Sequence, residues 1–285
     1  DLDALLETIQ REKVNYTMVV PAMINFLLAY PKVSQYRFDS LKGIFYGAAP
    51  IPPARVQQAI DLFGPILIQG YGMSETTSFV TVLTASDHIE ALKNNPARLG
   101  SCGRPVFDTE VRVVNEKGEE VSPGEIGEIT ARGPDIIRGY YKDPDLTRKT
   151  IVDRWIHSGD MARVDDEGYI YIVDRKTDMI ITGGFNVYPS EIEQVLYKHP
   201  AVLEACVLGV PDDKWGEAVK AVVVLKKGES ATEEEIIGFC KTLLSSFKKP
   251  QSVDFWSEIP KNPNGKIARR AVKEKYWGGK DRMVN

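Results

Sequence analysis

The chain has 285 residues, of which 43% are hydrophobic and 27% are charged, as in ordinary folded proteins. Its 36 basic and 40 acidic residues give a formal net charge of −4, which excludes a polybasic surface for nucleic acid or for an anionic membrane. The most apolar stretch, residues 18–30, is too short to cross a bilayer and contains Pro21 and Asn25, so we expect no membrane span.

Residues 1–72 alternate between helix and strand patterns. Apolar residues between Leu2 and Ile9 recur with the period of a helix. Further helices are predicted at residues 23–30 and 52–63, and strands at residues 16–20, 43–48 and 65–69. This alternation is typical of a parallel sheet with crossover helices. Because parallel strands favour neighbours on both edges, we expect the sheet to continue outside this chain; a small complete α/β unit is the alternative.

Residues 73–173 are rich in short strand patterns. They include a hairpin over residues 109–121, with its turn near Gly118, and strands at residues 125–131, 161–164 and 169–173. Short strands at close spacing are typical of a small barrel or sandwich. We therefore predict a β-rich, barrel-like subdomain here.

Residues 174–285 mix helix and strand patterns. One helix is predicted over residues 189–198, with Ser190 at its start, and another after Thr232. Strands are predicted at residues 202–210, 218–225 and 253–256. The predicted architecture is therefore multidomain, α/β and α+β. It has a partial parallel α/β layer over residues 1–72, a β-rich subdomain over residues 73–173 and a small, mobile α+β domain over residues 174–285.

A glycine-rich motif, Gln69-Gly70-Tyr71-Gly72-Met73-Ser74-Glu75, follows a predicted strand. In open α/β sheets, ligands bind beyond the carboxyl ends of the strands, and glycines allow a ligand to approach the backbone. Tyr71 could stack on a base, Ser74 could bind a phosphate oxygen, and Glu75 could bind Mg²⁺. The alternative is a glycine-rich turn with a solvated glutamate.

A second motif, residues 154–160, ends in Asp160. A fixed carboxylate suits a ribose diol because it accepts two hydroxyl protons; the alternative is an ordinary turn residue. His157 lies close to Asp160 in the sequence, but neighbouring residues of a strand point to opposite faces, so we predict no Ser-His-Asp triad.

Three further segments carry candidate residues. Residues 174–178 form a charged link, which is either functional or simply a polar linker. Gly183 and Gly184 follow a short apolar run and could flank a thin ligand arm. Residues 260–266 form a loop bounded by proline and glycine that presents Lys266, for which a solvated turn is the alternative.

The cysteines and histidines are few and scattered. They are Cys102, Cys206 and Cys240, and His88, His157 and His199. The sequence contains no CxxC pair and no HExxH motif, so we predict neither a disulfide framework nor a zinc site. Three unpaired cysteines suit a reducing compartment, and we expect a cytoplasmic protein.

Taken together and in this order, the motifs resemble those of the adenylate-forming superfamily, which includes acyl-CoA synthetases. The segments that carry the resemblance are Gly-Ala-Ala-Pro, GYGMSE, GEIGEITARGP with RGYY, WIHSGD, DRKTDMIITGGFNVYPSEIE and PKNPNGKIARR. The sequence is most similar to fatty-acid and related acyl-CoA ligases. The resemblance implies that a carboxylate attacks the α-phosphate of Mg-ATP to give an acyl adenylate. The C-terminal domain then rotates, and the thiol of CoA displaces AMP.

The resemblance also implies roles for matching residues. Gly47, Ala48, Ala49, Gln69, Gly70 and Tyr71 would line the adenine and acyl pocket, and Gly72 and Met73 belong to the same nucleotide-binding loop. Ser74 would meet the phosphate and Glu75 the Mg²⁺. Asp160 and Arg175 would hold the ribose, and Lys266 would act on the α-phosphate and the carboxylate. Gly183 and Gly184 would flank CoA, and Thr177 occupies the hinge position.

The sequence departs from the family pattern in three respects. The phosphate loop that the family carries upstream is absent, so we expect this chain to be a C-terminal part that is inactive in adenylation when isolated. The hinge position, usually Lys or Asp, is Thr177. Ile181 and Gly183 replace two lysines of plant coumarate ligases, which argues against that substrate. Residues near Gly47 and residues 73–80 would give a partly apolar wall without a charged partner, so we expect fatty or other apolar acids. The alternatives are a domain that loads a carrier protein and a noncatalytic nucleotide-binding module; a homodimer is left open.

Overall fold

The computed structural model describes residues 1–47, 51–262 and 266–278. Contacts between Cα atoms divide the chain into two compact units, Asp1–Ile172 and Val173–Asn285. Each unit has its own hydrophobic core and is described by itself.

The first unit begins with strands and helices that alternate along the chain. Its first helices are α1 (Leu2–Arg11), α2 (Pro21–Ala29) and α3 (Pro53–Phe63), and its first strands are β1 (Tyr16–Val19), β2 (Gly43–Gly47) and β3 (Leu67–Gly72). Strands β1, β2 and β3 are parallel neighbours, as predicted. Buried apolar side chains of the helices and of one sheet face form the core, among them Leu6, Ile24, Ile44, Val56 and Leu67.

The first sheet extends beyond residue 72, where the sequence analysis ended the first layer. Strands β4 (Phe79–Leu83) and β5 (Arg104–Pro105) join it as antiparallel neighbours. The helix α4 (Ala85–Asn94) follows β4. The chain reverses direction in the short loop after β3, so β4 pairs with β3 directly and needs no crossover helix.

The second sheet of this unit is open and does not close into the predicted barrel. Its elements are β6 (Glu110–Val114), β7 (Ile126–Arg132), α5 (Pro144–Thr150), β8 (Ile151–Val152), β9 (Trp155–Val164) and β10 (Ile170–Arg175). The last three residues of β10 belong to the second unit. The strand order is β10-β9-β7-β6, with β8 paired to β9, so among the described residues β6 and β10 remain edge strands. Short, closely spaced strands in a sequence indicate that the strands pair with one another, but they do not specify whether the sheet closes into a barrel.

The second unit is an α+β domain. It contains β11 (Ile180–Thr182), β12 (Phe185–Val187), α6 (Pro189–Leu196), β13 (Val202–Asp212), β14 (Gly216–Leu225), α7 (Glu233–Leu243), β15 (Ser252–Phe255) and α8 (Arg269–Trp277). The sheet order is β12-β11-β14-β13, and β15 lies parallel to β14. Helices α6 and α7 cover one face through Ile192 and Ile236. No helix in the described part of the chain is long and apolar enough to span a membrane.

The first turns of α6 and α7 are stabilised in different ways. Thr232 caps α7 as predicted: its side chain accepts from the Glu235 backbone N–H, and Glu235 accepts from the Thr232 N–H in return. Helix α6 begins at Pro189, and its capping residue Tyr188 makes no side-chain cap. The Ser190 N–H instead donates to Asp174 Oδ2 at 2.8 Å. Helix α6 thus starts at the predicted residue, and a carboxylate distant in sequence binds its first turn.

Candidate functional site

The carboxyl ends of β2 and β3 pack so closely that glycine is required there. Gly47 lies opposite Gly70 in the parallel register. A Cβ atom on Gly47 would lie 2.4 Å from the Gly70 carbonyl oxygen, and one on Gly70 would lie 2.4 Å from the Phe79 ring. Packing within the sheet thus explains both glycines. Ala48 and Ala49, which were predicted to line the same pocket, lie outside the described residues.

The loop after β3 is a tight turn that presents Ser74 and Glu75. The buried Thr76 holds it together: Thr76 Oγ1 lies 3.0 Å from the Met73 carbonyl oxygen and 2.8 Å from that of Ser78, and it accepts from the Met73 N–H. A Cβ on Gly72 would lie 1.9 Å from the Ser78 oxygen. The turn leaves Ser74 exposed and Glu75 half-buried, so both side chains are available to a ligand.

Glu75 is oriented by the segment that follows β7. Tyr140 Oη donates to Glu75 Oε1 at 3.0 Å, and the Ile137 N–H donates to the Glu75 carbonyl oxygen at 2.9 Å. Burial, together with the nearby Glu75 carboxylate, raises the pKa of Tyr140, so this phenol stays a donor. The sequence offered no signal for Tyr140, because 65 residues separate it from Glu75.

The described residues contain no group of three or more His, Cys, Asp or Glu side chains that could enclose a metal. Glu75 offers one carboxylate, of which Oε1 accepts from Tyr140. This donor set suits Mg²⁺, which often binds one or two carboxylates and fills its remaining positions with phosphate oxygens and water.

Tyr71 connects this loop to the second motif. Its hydroxyl donates to Asp160 Oδ2 at 2.7 Å, which links the end of β3 to β9. Asp160 is buried, with 6% of its surface exposed. Burial and the negative charge of Asp160 both raise the pKa of Tyr71. The structure thus brings together two motifs that the sequence analysis treated separately.

A β-bulge in β9 places Asp160. His157 lies opposite Thr130 and Met161 lies opposite Glu128, so three residues of β9 face Ile129 alone. At the centre of the bulge Gly159 has φ +72°, a left-handed conformation that favours glycine.

Two polar side chains hold this bulge in place. The buried Glu128 accepts from the Gly159 N–H at 3.0 Å and lies 3.1 Å from His157 Nδ1. Ser158 Oγ donates to the Ile129 carbonyl oxygen at 2.8 Å and accepts from the Asp160 N–H at 3.0 Å. His157 therefore pairs with the Glu128 carboxylate within the bulge. Gly159, a glycine within a strand pattern, was the available sequence signal for the bulge. Nothing in the sequence identified Glu128 as the residue that binds the Gly159 N–H.

In the second unit, Arg175 and Thr177 lie in one exposed turn. The Arg175 carbonyl oxygen accepts from the N–H groups of Asp178 and Met179, at 3.0 and 3.1 Å. Asp174 Oδ1 accepts from the Arg175 N–H at 2.8 Å. Asp174 also binds the first turn of α6 through Ser190, so it fixes one side of the turn that contains the predicted hinge residue.

Gly183 and Gly184 form the turn between β11 and β12. Both have left-handed φ values, +55° and +81°. A Cβ on Gly183 would lie 2.7 Å from the Trp215 ring, whereas one on Gly184 would meet nothing within 4 Å. The hairpin turn itself requires both glycines, and the open side of Gly184 leaves room for a thin ligand.

Lys266 is exposed on a closed loop. Its N–H donates to Asn262 Oδ1 at 3.0 Å, and its carbonyl oxygen accepts from the Asn262 N–H at 2.8 Å. Residues 263–265 of the predicted loop lie outside the described residues. The predicted site residues are thus divided between the units. Gly47, residues 69–75 and Asp160 belong to the first, and Arg175, Thr177, Gly183, Gly184 and Lys266 belong to the second.

Comparison with known families identifies relatives for both units. A model of the AMP-binding enzyme family matches residues 1–141, and a model of the AMP-binding enzyme C-terminal domain matches residues 191–266. The chain is 42% identical to a medium/long-chain-fatty-acid–CoA ligase of Mycobacterium tuberculosis, over 98% of this chain and 49% of that protein.

Two further similarities bear on the chemistry. A fatty acid–[acyl-carrier-protein] ligase of Streptomyces coeruleorubidus is 38% identical over 94% of this chain and 51% of its own length. The o-succinylbenzoate-CoA synthetase of Bacillus subtilis, solved with its acyl-adenylate intermediate, matches with a TM-score of 0.80 and 32% identity, over 96% of this chain and 54% of that chain. The chain thus spans about half the length of the proteins it matches.

Proposed function

Because this chain belongs to the AMP-binding enzyme family, we propose that its full-length protein is an ATP-dependent acyl-CoA ligase. It joins a carboxylic acid to AMP with release of pyrophosphate, and then transfers the acyl group to the thiol of CoA with release of AMP. The observation that carries this proposal is the hydrogen bond between Tyr71 and Asp160. It brings the glycine-rich loop after β3 and the acidic motif of β9 to one place within the first unit.

The nucleotide is proposed to bind at this place. Gly47, Gln69, Gly70, Tyr71, Gly72 and Met73 form the wall around the base and the acyl group. The exposed Ser74 hydroxyl donates to a phosphate oxygen. Asp160 accepts protons from the ribose hydroxyls, and Arg175 of the second unit donates to the same sugar. A buried carboxylate suits this role, because it makes strong charge-assisted hydrogen bonds to hydroxyl groups.

Glu75 is proposed as the protein ligand of Mg²⁺. When bound, the ion would neutralise negative charge on the phosphates. The chain's own contribution is orientation: Tyr140 occupies Oε1 of Glu75 and leaves Oε2 for the cation. The carboxylate therefore does not have to reorganise when Mg-ATP arrives.

The second unit is proposed to contribute the remaining groups. The ammonium of Lys266 offsets the repulsion between the acid carboxylate and the α-phosphate during adenylate formation. Gly183 and Gly184 flank the arm of CoA, for which the open side of Gly184 leaves space. Thr177 is the hinge residue, and its place in an exposed turn supports this role without requiring a charge.

The acid is proposed to be a fatty acid or another apolar acid. Residues 73–80 are partly apolar and include no lysine or arginine that would pair with a second charged group. The cytoplasm is the proposed location. It is reducing, which suits the three free, buried cysteines, Cys102, Cys206 and Cys240.

A carrier protein is the second candidate for the acyl acceptor. The fatty acid–[acyl-carrier-protein] ligase of Streptomyces coeruleorubidus supports it, because its identity to this chain is close to that of the CoA ligase. Both candidates share the adenylation step and differ only in the thiol that attacks the adenylate.

An assay of the full-length protein tests the proposal. Pyrophosphate release from ATP would be measured with a panel of acids that includes fatty acids of several chain lengths and an aromatic acid. The active acid would then be offered CoA or phosphopantetheinylated carrier protein, and the product identified by mass spectrometry. We expect acid-dependent pyrophosphate release and an acyl-CoA product. Release that no acid stimulates would contradict the ligase proposal, and acylation of the carrier alone would favour the second candidate.

A further inference from the structure

A buried chain of hydrogen bonds connects α4 to the glycine-rich motif. His88 and Tyr46 are each 1% exposed. His88 Nδ1 lies 2.7 Å from the Thr84 carbonyl oxygen, and His88 Nε2 lies 2.8 Å from Tyr46 Oη. Tyr46 Oη lies 3.2 Å from the side-chain amide of Gln69, which is its register partner across β2 and β3. The chain of contacts thus ends on a residue that is proposed to line the base pocket.

The positions of the protons in this chain follow from its first member. A carbonyl oxygen only accepts, so His88 Nδ1 carries a proton and donates it to Thr84. Burial lowers the pKa of His88, which keeps the ring neutral and leaves a lone pair on Nε2. The single hydroxyl proton of Tyr46 is therefore donated to His88, and the Tyr46 oxygen is left to accept from Gln69.

This order of donors fixes the orientation of the Gln69 amide. The amide atom nearest Tyr46 is placed as Oε1, but the oxygen and nitrogen of an amide are assigned by the hydrogen-bond network around them. A hydroxyl that has given its only proton to His88 needs a donor, so Gln69 turns its NH₂ group to Tyr46. Its carbonyl oxygen is then the group that it can offer to a ligand.

We propose that Tyr46 and His88 are positioning residues that lock the Gln69 amide with its oxygen toward the base, and so select a 6-amino purine over a 6-oxo purine. The inference rests on the proposed function, in which Gln69 lines the adenine pocket. The 6-amino group of adenine donates a hydrogen bond to this oxygen. The 6-oxo group of hypoxanthine only accepts, so ITP would leave two acceptors facing each other.

The two residues also pack in the core, and the test must separate this role from positioning. Tyr46 belongs to the buried cluster that contains Ile44 and Leu67. A purely structural role would lower thermal stability and reduce the use of every nucleotide alike. A positioning role would instead change the ratio of the activity with ATP to the activity with ITP.

The test measures acid-dependent exchange of pyrophosphate into ATP and into ITP by the full-length protein. In Tyr46→Phe the amide loses its partner and turns freely, so we expect the preference for ATP to fall about five- to tenfold, through KM for ATP and with kcat retained. In His88→Leu the Tyr46 proton is released toward Gln69, which inverts the amide. The preference should then fall at least as far, with a lower KM for ITP.

Tyr36→Phe is the matched control, because it removes a tyrosine hydroxyl of the same unit that donates to Asp3 at 2.9 Å on α1. Its ATP-to-ITP ratio should equal that of the wild type. Equal losses for both nucleotides in Tyr46→Phe and His88→Leu would overturn the inference.

A second measurement is independent of catalysis. Nitrogen-15 NMR of the histidines in this chain should show His88 protonated at Nδ1 and unprotonated at Nε2. A proton on Nε2 would overturn the inference even in an active ligase. A wild-type protein that exchanges pyrophosphate with no acid would instead contradict the proposed function, while the NMR result would still report the hydrogen-bond order.

Discussion

Tyr71 and Asp160, 89 residues apart in the sequence, share a hydrogen bond of 2.7 Å at the end of β3. The bond joins the glycine-rich loop to the bulged strand β9. It also means that the Asp160 carboxylate is held in place by the protein rather than by a bound nucleotide. The proposed ribose site is therefore preorganised, so the cost of ordering this side chain would not fall on ATP binding.

Asp160→Ala should weaken the use of ATP by the full-length protein. Loss of a buried, charge-assisted hydrogen bond costs about 1.5–3 kcal/mol, so KM for ATP should rise roughly ten- to a hundredfold. Initial-rate kinetics of pyrophosphate release would measure this. Asp166→Ala, in an exposed turn of the same unit, is the control. An unchanged KM in Asp160→Ala would remove Asp160 from the site.

Glu128→Ala should release the bulge that places Asp160. The Gly159 N–H and His157 would both lose their partner, and a buried polar group left unsatisfied costs about 1–3 kcal/mol. Urea unfolding of this chain should show that loss, and KM for ATP in the full-length protein should rise. Glu128→Gln keeps an acceptor for the Gly159 N–H, so it should recover most of the stability and most of the wild-type KM for ATP. The exposed Glu116→Ala is the control. A Glu128→Ala protein with wild-type stability would contradict the role of Glu128 in holding the bulge.

The three cysteines should resist alkylation in the folded protein. Burial raises the pKa of Cys102 and of Cys206 to about 12, and that of Cys240 to about 11. The thiolate is the reactive form, so iodoacetamide at pH 8 should modify the unfolded chain and spare the native one. Mass spectrometry after timed quenching measures the difference.

The same shifts imply a pH dependence of stability. A thiol whose folded pKa exceeds its unfolded value of about 9 favours the native state below that value. Stability should therefore fall as the pH rises from about 9 toward the folded pKa values. The alkylation prediction has its own contradicting outcome: rapid modification of any one cysteine in the native protein would show that this cysteine is open to the reagent.

The local part of this structure could be predicted from the sequence, because its signals lie within a few residues. The parallel order of β1, β2 and β3 follows from strand–helix alternation. The cap of α7 follows from Thr232 and Glu235, which are one helical turn apart. The predicted fold class, which depends on these same local signals, was also confirmed.

The contacts that complete the site could not be predicted, because they join distant residues. Glu128 and Gly159 are 31 residues apart, and Tyr46 and His88 are 42 apart. Sequence periodicity gives the face of a strand but not its partner across the sheet. The same limit explains the barrel that did not form: strand spacing contains no information on whether β6 and β10 pair.

Lys266→Ala should affect one half-reaction only. A positive charge between the carboxylate and the α-phosphate is needed while the adenylate forms, and removal of such a preorganised group typically costs about a hundred- to a thousandfold in rate. Thioester formation from supplied acyl adenylate and CoA should be nearly unchanged, because that repulsion is then absent. Lys227→Ala, an exposed lysine of the same unit, is the control. Equal losses in both steps would assign Lys266 a general structural role.

In the proposed reaction, the acid becomes an acyl adenylate before it meets the thiol. The most direct test follows oxygen-18 from a doubly labelled carboxylic acid through one complete reaction of the full-length protein with ATP and CoA. Attack of the carboxylate on the α-phosphate, followed by displacement of AMP, leaves one labelled oxygen on the AMP. We expect mass spectrometry to find labelled AMP and unlabelled pyrophosphate. Unlabelled AMP, or ADP together with labelled inorganic phosphate, would contradict it.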